Sequence, residues 1–271
     1  MCGTCGCADP ANEVSMTDTL TGTKVILNGG HEHSHDHSHD DHHHGHDEPH
    51  SHGPGGEIIP LEVAVLSKND KFAARNRGWF EGRGVVALNL VSSPGSGKTT
   101  LLEATIRMMA GKTKISVIEG DQMTSNDAER IKAAGARAIQ INTGAGCHLE
   151  ADMVAEAAKS LDPEKGSILM IENVGNLVCP AMFDLGERMK IAVISTTEGE
   201  DKPIKYPHMF RAVGLVVINK MDLAPYVDFD EATCRKNIAT VNPNAEVLCL
   251  SAKTGEGMEA WCRKLEEIAV G

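Results

Sequence analysis

The sequence predicts an α/β fold in which a mainly parallel sheet carries helices on both faces, preceded by a disordered N-terminal arm rich in Cys and His. Short apolar runs alternate with helical segments from residue 85 onward, a pattern typical of parallel strands that are buried on both faces. The predicted strands cover residues 85–91, 115–118, 138–141, 168–171, 191–194, 215–218 and 247–250, and the predicted helices 98–110, 125–134, 149–161, 230–240 and 257–269.

The first 56 residues are predicted to form the disordered arm. They contain eleven of the 13 histidines, nine acidic residues and one lysine, and they lack the apolar period that would let them bury a core. Within the arm, the apolar run 23–27 predicts at most a transient strand. Residues 57–82 are predicted to be a linker with a helix over 60–76, and residues 83–271 form the predicted α/β domain.

The overall composition excludes several classes of function. The formal net charge is −12, aromatic residues make up 3% of the chain, and no basic stripe is present, so nucleic-acid binding is not expected. No apolar stretch is long enough to span a bilayer, and the N-terminus does not have the pattern of a secretory signal. We therefore expect a cytoplasmic protein that does not bind membranes. Its eight cysteines should be metal ligands or core residues, because cytosolic thiols stay reduced.

A phosphate-binding loop, Ser92-Ser-Pro-Gly-Ser-Gly-Lys-Thr99, follows the first predicted strand of the domain and opens its first helix. In such a loop, Lys98 reaches the β and γ phosphates of a nucleotide and the Thr99 hydroxyl holds Mg²⁺. Ser92 stands where glycine is usual, which is tolerable if its φ is not positive. The alternative is an ordinary glycine turn. The predicted phosphate-binding residues are Ser93, Pro94, Gly95, Ser96, Gly97, Lys98, Thr99 and Thr100.

A second motif predicts which base is bound. Asn219-Lys220-Met-Asp222 follows a predicted strand, and a carboxylate at its fourth position can accept two N–H bonds from guanine but none of that kind from adenine. Ser251-Ala252-Lys253 follows the next strand and can line the base with backbone N–H groups. A polar turn is the alternative for the tetrapeptide alone. Together, the two segments predict GTP as the nucleotide.

Two acidic residues at strand ends, Asp121 and Glu172, are candidate ligands of Mg²⁺ together with Thr99. Solvated acids or helix caps are the alternative. The segment 173–176 after Glu172 lies where a γ-phosphate-sensing switch is expected, but no glutamine follows its glycine. The residue that orients water in signalling GTPases is therefore absent, and slow turnover is expected. Lys98, Asp121 and Glu172 are the candidate catalytic residues.

The N-terminus carries a candidate metal site of its own. Cys2, Cys5 and Cys7 are close enough in sequence to bind one soft ion, with tetrahedral zinc and square-planar nickel both compatible with three thiolates and one nitrogen. A redox Cys-x-x-Cys pair is the alternative, but it lacks its usual βαβ setting. The histidine tract is a less selective metal store. An expression tag is the alternative there, although the interspersed Asp, Ser and Glu argue against it.

A third candidate metal site combines Cys147 and His148 with Cys179, which lie in loops that follow two predicted strands. Parallel strands send these loops to the same edge of the sheet, so we expect them to converge. Three ligands leave one coordination position open, or two subunits can share ions across a two-fold axis. Small buried cysteines are the alternative.

These motifs together resemble one known family, the hydrogenase nickel-incorporation GTPases (HypB), which are P-loop GTPases of the SIMIBI class. The resemblance rests on Cys2-x-x-Cys5-Gly-Cys7, the His-rich arm, Ser93-Pro-Gly-Ser-Gly-Lys-Thr99, Gly-Cys147-His148-Leu-Glu-Ala-Asp, Glu172-Asn-Val-Gly-Asn-Leu-Val-Cys179-Pro and Asn219-Lys-Met-Asp222. It covers nearly the whole chain, and the linker contributes least.

The resemblance implies a nickel-inserting GTPase that dimerises with GTP, with Mg²⁺ on Asp121 and Glu172 and an interface metal site at Cys147, His148 and Cys179. It also implies two partners, a nickel- and zinc-binding co-chaperone and the large subunit of nickel-iron hydrogenase. Two alternatives remain open: a nickel-storage protein, and an insertion GTPase for another enzyme such as urease. Urease GTPases typically carry Cys-Pro-His and Glu-Ser-Gly-Gly-Asp at the corresponding places, which favours hydrogenase.

Overall fold

The computed structural model describes residues 13–27, 51–52, 58–59, 61–121, 126–144 and 146–270. The predicted ligands Cys2, Cys5 and Cys7 and the histidines from His31 to His50 lie outside these ranges. Among the described residues, no helix combines the length and the apolar character needed to cross a membrane.

Nine strands form one sheet. Its strands are β1 (Ser15–Asp18), β2 (Lys24–Ile26), β5 (Val86–Ser92), β6 (Ile115–Asp121), β7 (Arg137–Asn142), β8 (Ile168–Gly175), β9 (Met189–Ser195), β10 (Leu215–Asn219) and β11 (Glu246–Cys249), and two-residue strands β3 (Ser51–His52) and β4 (Ile58–Ile59) form a separate pair. The order across the sheet is β11-β10-β9-β5-β8-β6-β7-β1-β2. All pairs from β11 to β7 are parallel, while β1 and β2 are antiparallel.

Helices cover both faces of this sheet, which confirms the predicted fold class. They are α1 (Leu61–Arg83), α2 (Lys98–Met109), α3 (Asn126–Ala134), α4 (Ala151–Leu161), α5 (Lys202–Lys205), α6 (Pro207–Ala212), α7 (Glu231–Val241) and α8 (Met258–Val270). Leu88 and Leu90 of β5 pack in the cluster that contains α2 and α8, whereas Ala87 packs in the cluster that contains α1 and α4. This alternation follows from the period of two residues in a strand.

The segment 13–27 differs from the prediction that residues 1–56 are disordered. β1 pairs antiparallel with the edge strand β7, placing Ser15 opposite Asn142, and β2 pairs with β1. The backbone groups on the outer edge of β7 would otherwise be unpaired, and Met16 is buried against the α4 side of the core. The low-complexity composition of the arm concealed this hairpin, because its stability comes from a distant edge and not from local sequence.

Helix α1 continues to Arg83, beyond the predicted end at residue 76, and polar side chains anchor it to the body. Asn69 Oδ1 accepts from Ala151 N at 2.9 Å, and Asn76 Nδ2 donates to the carbonyls of Ala151 and Leu185 at 2.7 and 3.0 Å. Phe80, one turn further along, is buried in the core on that face of the sheet. The predicted domain boundaries stay predictions.

Candidate functional site

A cavity of about 550 Å³ lies over the loop between β5 and α2. Gly95 and Gly97 have φ angles of 76° and 93°, which favour glycine, and Gly97 immediately precedes α2. The N-terminus of this helix therefore borders the cavity, an arrangement that attracts phosphate. The predicted residues Pro94, Gly95, Ser96, Gly97, Lys98, Thr99, Thr100, Asp121 and Glu172 all line the cavity. Ser93 is not among the lining residues, and its hydroxyl lies 3.2 Å from Lys202 Nζ.

Ser92, which replaces the usual glycine, has a specific role in the loop. Its φ is not positive, so the substitution causes no backbone strain. Lys98 Nζ donates to Ser92 Oγ at 2.6 Å, and this hydroxyl in turn donates to the carbonyl of Ser93 at 2.6 Å. Burial lowers the pKa of Lys98, and the carboxylates of Glu172 and Asp127 oppose that shift only in part. The buried ammonium group is thus held by a neutral hydroxyl beside a pocket of suitable size for phosphate.

Four carboxylates face this cavity, those of Glu119, Asp121, Asp127 and Glu172. The Thr99 hydroxyl lies 2.9 Å from Glu172 Oε1 and 3.1 Å from Asp127 Oδ2. Glu119 and Glu172 are opposite each other in the β6–β8 register, and each has a buried Oε2 without a hydrogen-bond partner. Such oxygen donors fit a hard divalent cation, which would satisfy the unpaired carboxylate atoms.

Three residues that line this cavity were not predicted from the sequence: Glu119, Asp127 and Arg130. Glu119 lies two residues before Asp121 and therefore on the same face of β6, a signal that the alternation of side chains provides. Arg130 bonds to Asp127 Oδ1 at 2.9 Å, to Thr100 Oγ1 at 3.2 Å and to Glu103. No local sequence pattern marks the last two residues, because α3 is brought to the cavity only by the fold.

Changing Glu119 to glutamine is expected to flatten the pH dependence of stability when no divalent cation is present. Burial, with the negative charges of Glu172 and Asp127, raises the pKa of Glu119 from its ordinary 4.5 to about 9. Unfolding between these pH values releases a proton, so this residue makes the folded protein progressively less stable as pH rises through that window. Glu119→Gln removes this contribution, and thermal unfolding in a chelator from pH 5 to pH 9 measures it.

The matched control is Glu256→Gln, which changes an exposed glutamate of the same charge. It should leave the slope of melting temperature against pH unchanged. An equally steep slope in Glu119→Gln and in the parent protein would contradict a neutral Glu119 in the cation-free state.

The predicted base-binding residues line a second cavity of about 240 Å³ that shares Gly97, Thr100 and Lys220 with the first. Its lining includes Asn219, Lys220, Asp222, Ser251, Ala252 and Lys253. Ser251 Oγ donates to Asp222 Oδ1 at 2.6 Å, and Ala252 N donates to Asn219 Oδ1 at 3.1 Å. Asn219 Nδ2 also donates to the carbonyl of Ser96 at 3.0 Å, so the base-binding segment supports the phosphate loop directly.

The loops after β7 and β8 converge as expected. Cys147 Sγ lies 3.0 Å from Cys179 Sγ and 3.6 Å from His148 Nδ1, and the three potential ligand atoms all lie within 4.8 Å of one another. Both thiols are partly exposed, whereas Cys234 is fully buried and its pKa is raised by burial to about 12. We refer to Cys147, His148 and Cys179 as the thiol–imidazole cluster.

The imidazole of this cluster is poised to bind a metal. His148 is 4% exposed, and its ring packs on Phe183 with centroids 3.9 Å apart. Burial lowers the pKa of His148 to about 4, so the ring is neutral at physiological pH, the form that binds metal ions. Its Nε2 lies 3.8 Å from Glu150 Oε1, which is too far for a hydrogen bond. Two sulfurs and one nitrogen suit nickel and zinc.

Comparison with known proteins agrees with this geometry. The family model of the CobW/HypB/UreG nucleotide-binding domain matches residues 86–249. The hydrogenase maturation factor HypB of Rhizobium leguminosarum bv. viciae is 60% identical over 218 residues, which are 79% of this chain and 73% of that protein.

Two solved structures resemble the fold closely. HypB from Archaeoglobus fulgidus gives a TM-score of 0.70 at 39% identity and covers 75% of this chain and 99% of its own. HypB from Helicobacter pylori, solved in complex with nickel, gives a TM-score of 0.70 at 38% identity over 74% of this chain and 95% of its own. The chain therefore belongs to the HypB family of hydrogenase maturation factors, within the CobW/HypB/UreG group of P-loop nucleotide-binding domains.

Proposed function

We propose that the protein is a GTP-hydrolysing nickel metallochaperone that dimerises with GTP and delivers nickel for the maturation of nickel-iron hydrogenase. One observation carries the proposal: the phosphate-binding cavity and the thiol–imidazole cluster lie at the same carboxyl edge of one sheet. Strand β8 connects them, because Glu172 lines the cavity and Cys179 follows seven residues later.

In this mechanism, GTP occupies the two joined cavities, with guanine against Asp222 and the β and γ phosphates against Lys98. The ammonium of Lys98 leaves Ser92 Oγ for the phosphate oxygens, and this exchange replaces a neutral acceptor by charged ones. The guanidinium of Arg130 holds Asp127 beside Thr99. Hydrolysis is slow because Asn176, not glutamine, follows Gly175.

Mg²⁺ supplies charge neutralisation at the β and γ phosphates when it is bound. The residues that would hold it are Thr99, Asp121 and Glu172, with Glu119 as an additional oxygen donor. A bound cation would be within reach of the Thr99 hydroxyl, which now contacts Glu172 Oε1, and would neutralise the buried Glu172 carboxylate, whose Oε2 has no hydrogen-bond partner. In this proposal, cation binding at Thr99 and Glu172 would link nucleotide binding to the position of the segment that follows β8.

Nickel is the cargo in this proposal. Cys147, His148 and Cys179 supply three donors and leave a position open for a donor from a second copy or for the receiving protein. Cys2, Cys5 and Cys7 form the second proposed nickel site, and the histidine tract is the store. The proposed partners are a nickel- and zinc-binding co-chaperone and the hydrogenase large subunit, and zinc is the competing ion at both sites.

Nickel affinity should differ between the GDP form and the form with a non-hydrolysable GTP analogue. The full chain with Cys2, Cys5 and Cys7 changed to serine isolates the cluster, because absorption by nickel–thiolate charge transfer then reports only the remaining thiols. Adding Cys147→Ser should reduce this affinity by at least about 100-fold, since losing a ligand exceeds the 10–100-fold cost of losing a supporting contact.

Cys262→Ser is the matched control, because Cys262 packs in the core far along the chain from the cluster. It should bind nickel like the parent protein in both nucleotide forms. Equal nickel dissociation constants in the GDP and GTP-analogue forms of the parent would refute the nucleotide-gated delivery that we propose. Restoration of hydrogenase activity in a deletion strain by the parent, and not by Cys147→Ser, tests delivery in the cell.

A further inference from the structure

We propose that Asn176, supported by Asn173, is the positioning residue that transmits the nucleotide state to the thiol–imidazole cluster. The inference rests on the proposed function, because it assumes that nucleotide and nickel binding influence each other. It adds the physical connection: two amide side chains in the short segment between a phosphate-side carboxylate and a nickel-side thiol.

Asn176 joins the two loops that carry the thiols. Its Nδ2 donates to the backbone carbonyl of Cys147 at 3.3 Å, and its Oδ1 accepts from Val178 N at 2.8 Å. Val178 is the residue directly before Cys179. One partly buried side chain therefore sets the position of the Cys147 backbone relative to that of Cys179, although the two residues lie 32 positions apart.

Asn173 makes a similar link in the protein interior, to the backbone that follows His148. It is 1% exposed, and its Oδ1 accepts from Leu149 N at 3.2 Å and from Val174 N at 3.0 Å. Its Nδ2 donates to Asn89 Oδ1 at 3.3 Å, which anchors it to the strand that leads to the phosphate loop. The residue next to Glu172 thus binds the backbone immediately after His148.

Packing contacts make this connection stiff. Leu149 lies so close to Gly120, between Glu119 and Asp121, that a Cβ there would be 2.8 Å from Leu149 Cγ. Gly175 packs in the same way on Pro94 of the phosphate loop, where a Cβ would meet Pro94 Cα at 3.1 Å. The Cys147 loop is therefore held by both strands that bear the acidic residues.

Through these contacts, a movement of Glu172 would reach the backbone of Cys147. A cation or γ-phosphate that displaces Glu172 also displaces the short segment behind it, because Gly175 has no free space on the phosphate side. Asn176 then moves the carbonyl of Cys147, and the spacing of the two sulfurs changes with it. Coupling of this kind needs a contiguous set of contacts with two arrangements, and the asparagines supply the contacts.

The chemistry of the amide provides a selective variant. Asn176→Asp keeps the oxygen that accepts from Val178 N, but a carboxylate cannot donate to the carbonyl of Cys147. Asn142→Asp is the matched control, because it adds the same charge near the same loop while keeping the hydrogen bond in which the side-chain Oδ1 accepts from Gly144 N at 2.9 Å.

Both variants are made in the full chain with Cys2, Cys5 and Cys7 changed to serine, and nickel affinity is measured with GDP and with the GTP analogue. In the parent, the ratio of the two nickel dissociation constants is expected to lie in the range of about 5–150 that is usual for coupled sites. In Asn176→Asp this ratio should fall to within about twofold of one. Asn142→Asp should keep the parent ratio. In Asn176→Asp the nucleotide affinity measured without nickel should be unchanged, and the melting temperature should fall by no more than a few degrees, the cost of one hydrogen bond.

The outcomes separate the two levels of the proposal. A parent ratio of one refutes nucleotide-gated nickel binding and this inference with it. A parent ratio well above one that persists in Asn176→Asp overturns the inference alone and leaves the proposed function standing. If Asn176→Asp does not fold, Asn176→Ala, which removes both hydrogen bonds without adding charge, decides by the same criterion.

Discussion

Replacing Asp222 by asparagine should exchange guanine for xanthine as the preferred base. In the structure, Asp222 accepts from Ser251 Oγ at 2.6 Å and borders the second cavity, where its carboxylate can accept from the N1 and exocyclic amine of guanine. The amide of the asparagine would direct an N–H group at the N1 and amine donors of guanine and leave them without an acceptor. Xanthine has a carbonyl oxygen in place of the amine, and this oxygen can accept from the asparagine. Sites that read a base by such hydrogen bonds reject the wrong partner by about 10⁴–10⁵-fold.

The expected result is a loss of kcat/KM for GTP on the order of 10⁴-fold in Asp222→Asn, with hydrolysis of xanthosine triphosphate restored to near the parent rate with GTP. Steady-state phosphate release with each nucleotide measures both values. Asp228→Asn changes an exposed aspartate in the same part of the chain and should keep the preference for GTP. Full activity of Asp222→Asn with GTP would show that the second cavity does not bind the base.

Replacing Lys98 by alanine should abolish nearly all GTP hydrolysis without destabilising the nucleotide-free protein. The ammonium group is the only basic group of the phosphate loop, Ser92 to Thr99, and removing one preorganised donor to a developing negative charge typically costs about 10²–10³-fold in rate. In the nucleotide-free state its desolvation is unfavourable, which is why burial lowers its pKa, and its hydrogen bond is to Ser92.

Single-turnover hydrolysis and thermal unfolding together test this prediction. Lys159→Ala, which removes an exposed lysine on α4, is the control and should change neither measurement. A rate reduction of less than about tenfold in Lys98→Ala would contradict the placement of the γ-phosphate at this residue. A large drop in melting temperature would instead indicate a structural role for the lysine.

The sequence predicted the central sheet well because its strands are buried on both faces. Strands such as Val86–Ser92 and Leu215–Asn219 have every residue buried, so they appear in the sequence as mostly apolar runs with few polar residues. The short helices α5 and α6 were not predicted, since four and six residues are too few to show a helical period. Only a transient strand over 23–27 was predicted where β2 lies, and β1 and its pairing were not predicted, because the edge of β7 stabilises the hairpin.

The residues of the candidate site also divide into those that were predicted from the sequence and those that were not. The phosphate and base motifs are contiguous in sequence, and apart from Ser93 the residues predicted from them line the two cavities. The meeting of Cys147 and Cys179 followed from the shared direction of parallel strands. Glu119, Asp127 and Asn176 act through partners that are distant in sequence, and only the fold shows those partners. The roles assigned to Glu119 and Asn176 are proposals, which the variants at these two residues test.

The register of the N-terminal hairpin limits the distance between the proposed nickel ligand Cys7 and the sheet. Ser15 pairs with Asn142, and Asn142 lies five residues before Cys147. Strand β1 therefore begins at the edge of the sheet where the thiol–imidazole cluster lies. The eight-residue tether from Cys7 spans at most about 29 Å even when fully extended. For two proposed nickel sites joined by so short a tether, the effective concentration of one site at the other is on the order of millimolar, which would favour direct transfer of nickel between them.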